Sequence, residues 1–158
     1  MTEAVPAFDA AAAWAQIEAQ HAARNRLAAG VLPTNKTALF DALAAAGISH
    51  IVVTFDGSGD SGQIESIDAH AGEVSAVLPS IDVEIASPTW DGSDLDRRSM
   101  SVAQAIEQLA YDFLEGTHGG WEINEGAFGE FTFDVASEAI RLDYHERIET
   151  SEYHGHEW

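Results

Sequence analysis

Residues 51–68 read IVVTFDGSGDSGQIESID, and the alternation in that stretch decides the fold. Ile51, Val53 and Phe55 fall on one face and Val52 and Thr54 on the other, a β-branched run next to glycines that reads as a central strand. Gly57 to Gly62 supply the turn, and Gln63 to Asp68 return as the hairpin partner. Regular pairing sets Asp56 opposite Gln63 and Thr54 opposite Glu65.

The same period recurs towards the C-terminus. Phe131, Phe133 and Val135 face one way, Thr132 and Asp134 the other, Ala136 to Ala139 turn the chain, and Ile140, Leu142 and Tyr144 resume the apolar face. Regular pairing places Phe133 opposite Leu142, Phe131 opposite Tyr144 and Asp134 opposite Arg141. Between the hairpins, Ile81, Val83 and Ile85 alternate with Asp82 and Glu84, a further strand ended by Pro88.

Helices fill the rest. Asp9 as N-cap, with Trp14, Ile17, His21 and Ala28 near the helical period, predicts a helix from Asp9 to Ala29 that Gly30 and Pro33 terminate. A second helix starts at Thr34 or Asn35, carries Leu39, Phe40, Leu43 and Ala46, and stops at Gly47, with Ile48 placed for a Schellman contact. Ser101 and Gln104 form a capping box for a third helix with Val102, Ile106, Leu109 and Phe113 on one stripe, closed by Gly116. Ala69 to Pro79 and the tail after Ile148 carry the least order.

The element order is therefore α-α-β-β-β-α-β-β. Too few strands alternate with helices for a doubly wound parallel sheet, so an α+β fold is expected, with about five mostly antiparallel strands and helices packed on one face. Residues 1–33 form an N-terminal helix and linker, 34–148 a single α+β domain, and 149–158 a flexible tail of acids and histidines.

A chain of 158 residues, 46% hydrophobic and 22% charged, suits one domain with an ordinary core. It has no Cys, hence neither disulfides nor thiolate metal sites, and no export signal or membrane-spanning run, so a soluble cytoplasmic protein is expected. Asn35-Lys36-Thr37 matches a glycosylation sequon but reads as a helix start. The outlier is charge: 27 Asp and Glu against 7 Lys and Arg give a formal −20. That balance disfavours direct binding to nucleic-acid phosphate or anionic lipid and favours basic surfaces or cations.

Two segments carry a resemblance. Leu39-Phe40-Asp41-Ala42-Leu43 followed by Val53 to Glu65, and His118-Gly119-Gly120-Trp121-Glu122 with Gly129-Glu130-Phe131-Thr132-Phe133-Asp134, resemble the signatures of a family of uncharacterised bacterial proteins, a domain of unknown function. The resemblance covers most of the chain from Asn35 onward. It implies a bacterial setting on plasmids or integrative elements, and it brings no catalytic residues.

Three groups of residues invite chemistry. Asp56, Ser58, Asp60 and Glu65 place oxygen ligands along a Gly-rich loop, as a hard cation requires, although an EF-hand is excluded by Ser61 and Ile67 at its Gly and Glu positions. The structural alternative has glycines shaping a tight connection and carboxylates in solvent. His118, Trp121, Glu122, Asn124 and Glu125 bring a titratable ring, an aromatic surface and acids to one loop, against the alternative that Trp121 and Phe128 plug the core. His145, His154 and His156 with Glu146 and Glu157 resemble zinc ligands, but the spacing breaks H-E-x-x-H and falls on a strand. Nucleophile elbows, phosphate loops and dinucleotide fingerprints are absent from the sequence.

The expectation is a small acidic interaction or regulatory protein more than an enzyme, with no cofactor or at most a divalent cation, that binds a basic protein partner, with nucleic-acid mimicry one form of it. The alternative is a divalent-metal-binding module or metal-dependent enzyme using Asp56, Asp60 and Glu65.

Overall fold

The computed structural model describes residues 7–158, so the first six residues of the expected N-terminal segment lie outside it. The elements are α1 (Ala10–Ala45), β1 (His50–Ser58), β2 (Ser61–Ala71), β3 (Val74–Ala76), β4 (Asp82–Pro88), β5 (Leu95–Ser101), α2 (Val102–Thr117), β6 (Ala127–Asp134) and β7 (Ala139–Glu146). The fold is α+β, with an antiparallel five-stranded sheet in the order β3-β2-β1-β6-β7 and a separate two-stranded sheet of β4 and β5. The expected strand at 81–85 thus belongs to the small sheet.

Two compact units divide the chain, one of Met1–Ala38 with Glu84–Ser99 and one of Leu39–Val83 with Met100–Trp158. In the second, β1 is the central strand: Ile51, Val53 and Phe55 are fully buried, alongside Phe131 and Phe133 of β6. Phe40 of α1 and Phe113 of α2 both rest on that row, at ring separations of 6.3 Å from Phe133 and Phe131 respectively. Helices cover this face, as the one-sided alternation requires.

The two expected N-terminal helices are one. α1 runs through Gly30 and Pro33, and so through the expected linker, although an interior proline costs about 3 kcal/mol. Alanine-rich flanks favour the helix, and burying Leu39, Phe40 and Leu43 just downstream returns about 1.5–3 kcal/mol per side chain. The C-terminal stop falls where expected: Gly47 takes φ 75, its N–H donates to Ala44 O, and Ile48 N–H donates to Leu43 O at 3.1 Å. The Asn35 sequon is no helix start either. Asn35 is buried inside α1, donating through Nδ2 to Ala86 O (2.8 Å) and accepting from Ala86 N–H (2.9 Å).

Both hairpins depart in register from regular pairing. Asp56 does face Gln63, but a bulge after Thr54 pairs it with Ser66 and leaves Glu65 as the extra residue. At that bulge Ile64 N–H donates to Tyr111 Oη of α2 at 2.9 Å. The turn shrinks to Gly59 and Asp60, both with positive φ, so the strands run closer to the tip than expected. In the second hairpin Phe131 faces Leu142, Phe133 faces Ile140, and Thr132 faces Arg141. The ladder is displaced by two residues because the turn takes Val135 to Glu138, with Glu138 N–H donating to Val135 O (3.3 Å) and Asp134–Ala139 as the closing pair. A shift of two keeps every side chain on its face.

Residues 69–79, expected to lack order, instead hold the end of β2 and β3. The capping box of α2 forms as read: Ser101 Oγ accepts from Gln104 N–H and Gln104 Oε1 accepts from Ser101 N–H, both at 3.1 Å. The helix runs one residue past Gly116, to Thr117.

Candidate functional site

The two glycine-rich segments meet at one end of the sheet. Gly57 and Gly62 face each other across β1 and β2, and the six-membered ring of Trp121 packs against both. A methyl group on Gly62 would overlap that ring, and one on Gly57 would approach it to 2.6 Å, so neither position admits a side chain. Trp121 is 5% exposed and meets Phe55 edge-on at 5.6 Å. Gly126, at φ 76, passes so close to Gly57 O that a Cβ would overlap it. Backbone bonds complete the join: Gly59 N–H donates to Asn124 O (3.1 Å) and Asp60 N–H to Glu122 O (3.0 Å).

The acids of this end fall into different settings. Asp56 Oδ2 accepts from Arg147 Nη2 at 3.0 Å, while Arg147 Nη1 donates to Gly57 O (3.0 Å) and Ala127 O (3.3 Å). Asp56, Ser58 and Glu65 line one shallow polar groove of about 210 Å³, with Gln63 between them donating to Glu65 Oε1. Asp60 does not line it and sits at the hairpin tip. Glu122 Oε2 is buried with no hydrogen-bond partner among the described residues. Glu125 is exposed on the loop. His118 stacks on Tyr144 at 3.7 Å, and burial, then the carboxylates of Glu146 and Glu122, push the Tyr144 phenol above its ordinary pKa.

Asp56, Asp60 and Glu65 therefore share a hairpin without converging on a point, and among the described residues no three His, Asp or Glu side chains group closely enough to hold a metal ion. His145 lies on Phe128 at 4.9 Å, and His156 on Trp158.

Phe128, expected in the core, is 42% exposed, with the Arg147 guanidinium 4.8 Å from its ring centre. Alternation explains this: Ala127, Gly129, Phe131 and Phe133 take the inward positions of β6, and Phe128 falls between them. Extending the alternation three residues upstream of Phe131 would have found it. Arg147 gave no such signal, because its partners lie 20 to 91 positions away in the chain.

Opposite the helices, the sheet presents an open polar face. Its cross-strand rows are Asp68–Val52–Thr132–Arg141, Ser66–Thr54–Glu130–Asp143 and His70–His50–Asp134–Ala139, with the two imidazoles stacked at 4.5 Å. Asp68, Glu130 and Asp134 are exposed and make no ion pair among the described residues. The sheet unit holds 20 Asp and Glu against two Arg, a formal −18, whereas the other unit holds seven acids against five Lys and Arg, a formal −2.

These features define an α+β domain whose antiparallel sheet is greasy and helix-covered on one side and acid-rich and open on the other. The chain belongs to the family described as Family of unknown function (DUF6878), which matches residues 31–158 and so takes in the whole sheet unit. No curated protein and no solved structure matches it.

Proposed function

We propose that this protein is an interaction or regulatory module whose sheet unit binds a basic protein surface, with the open sheet face as the docking side. The supporting observation is the concentration of charge, a formal −18 in the sheet unit, together with Asp68, Glu130 and Asp134 exposed on one face with no ion pair among the described residues. A dense field of one sign on a rigid sheet raises the association rate with a basic partner and repels nucleic acid and anionic lipid. The partner is a cytoplasmic protein of the bacterial host or of a mobile element, and a surface that ordinarily grips nucleic-acid phosphate has the required chemistry. No helix of the described residues is long and apolar enough to cross a membrane.

The test is capture of basic proteins from bacterial lysate by the full chain, followed by titration of the captured partner at rising salt. Affinity should fall steeply between low and physiological ionic strength, and the triple variant Asp68→Asn, Glu130→Gln, Asp134→Asn should lose most of it. Binding that ignores both salt and the triple variant would refute the proposal. The divalent-cation alternative has weaker support, because Arg147 already holds Asp56 and Asp60 lies outside the groove.

A further inference from the structure

The five-stranded sheet ends in β7, whose outer side pairs with no strand among the described residues. Arg147 N–H donates to Gly126 O, which fixes the phase of the ladder: Arg141, Asp143 and His145 direct their main-chain groups at β6, and Ile140, Leu142 and Tyr144 direct theirs outward. Those same three residues put half-buried apolar side chains on the helix-covered face, so the edge offers unpaired peptide groups and greasy surface together.

We propose that this edge pairs with a second copy of the chain, antiparallel and two-fold about Leu142. In that register Leu142 faces Leu142 and Ile140 faces the partner's Tyr144 through the outward main-chain groups. On the open face, each Arg141 stands opposite the partner's Asp143. The neighbouring registers with the same hydrogen-bond phase are worse: centring the axis between Ile140 and Leu142 sets Arg141 against Arg141, and centring it between Leu142 and Tyr144 sets Asp143 against Asp143. Opposite charges directly across a ladder stabilise it and like charges destabilise it, so only the Leu142 axis is self-complementary. An edge guarded against pairing would carry charges of one sign, whereas Arg141 and Asp143 flank Leu142 with opposite signs and within one chain lie 3.4 Å apart. The dimer joins two sheets into one of ten strands and is independent of the proposed basic partner.

The salt dependence also separates the two proposals. Each copy carries a formal −20, so added salt screens repulsion between copies and strengthens the dimer, while it weakens capture of a basic partner. Sedimentation equilibrium of the full chain at several concentrations and salt levels should show a monomer–dimer equilibrium. Arg141→Asp alone and Asp143→Arg alone should each raise the dimer Kd about tenfold or more, with the monomer still folded by circular dichroism. The double exchange Arg141→Asp with Asp143→Arg should restore the dimer, and an equimolar mixture of the two single variants should form a heterodimer tighter than either homodimer. A wild-type chain that stays monomeric at every concentration, or a dimer indifferent to the exchanges, would overturn the proposal. If one single variant does not fold, the other single variant and the double exchange decide the question equally well.

Discussion

The helix–hairpin unit and the sheet unit solve the same problem with different means. In the sheet unit a dry layer of Phe40, Phe55, Phe131, Phe133 and Trp121 lies under the helices, and the ladders of β1 satisfy their main-chain groups on both sides. In the helix–hairpin unit one buried amide, Asn35, satisfies both main-chain groups of Ala86, and Gly92 packs against the helix backbone at Arg24. Nearly all the net charge sits on the better-packed unit. The self-repulsion of that charge is moderated because the carboxylates are mostly exposed, where water and salt screen it.

That contrast is broken most severely at Trp121. Trp121→Ala should remove about 3–5 kcal/mol and strip hydrogen-exchange protection from β1 and β6, because it empties the seat over Gly57 and Gly62. Gly62→Ala should cost about 1–3 kcal/mol alone and far less in the Trp121→Ala background, a coupling that a double-mutant cycle by denaturant melting reads directly. Equal costs in both backgrounds would show that the ring does not rest on the glycine pair.

Asn35→Ala probes the other unit. Leaving the buried N–H and C=O of Ala86 without partners should cost about 2 kcal/mol, with exchange rising in β4 while β1 and β6 keep their protection. Loss of protection throughout would mean that the two units unfold together. Arg147→Gln should cost about 1 kcal/mol, shrinking as salt rises, since Arg147 and Asp56 are both partly exposed.

The smallest effect is expected at Asp91 in the β4–β5 turn. Hydrogen bonds from the side chain and backbone of Ser93 and from Thr89 hold its carboxyl below the ordinary pKa. A depressed folded-state pKa gives stability that is present above the unfolded value and disappears as pH falls through the folded one. Asp91→Asn should therefore melt slightly lower than wild type at neutral pH, with the difference closing in acid. A difference that grows in acid would reverse the sign of this assignment.

Much of the sheet unit was legible because its signal is local and periodic. Alternation at Ile51–Phe55 and Phe131–Phe133 identified both hairpins and their buried faces, and the Ser101–Gln104 box and Gly47 marked helix ends through chemistry within a few residues. Gly30 and Pro33 misled, since local breaking signals compete with burial further along the chain and here lost to it. The candidate acids were correctly placed on one hairpin and one loop, but their convergence was not readable. Arg147 captures Asp56 from 91 positions away, and no local pattern announces it.

Composition and periodicity alone determined an α+β chain with two antiparallel hairpins, a helix-covered greasy face and a large negative charge, because propensity, capping and alternation act over a few residues. Only the tertiary structure decided the bulge at Glu65, the seating of Trp121 on Gly57 and Gly62, the concentration of charge in one unit and the free edge of β7. These depend on which distant segments touch, and contact at long separation is settled by packing the whole chain at once.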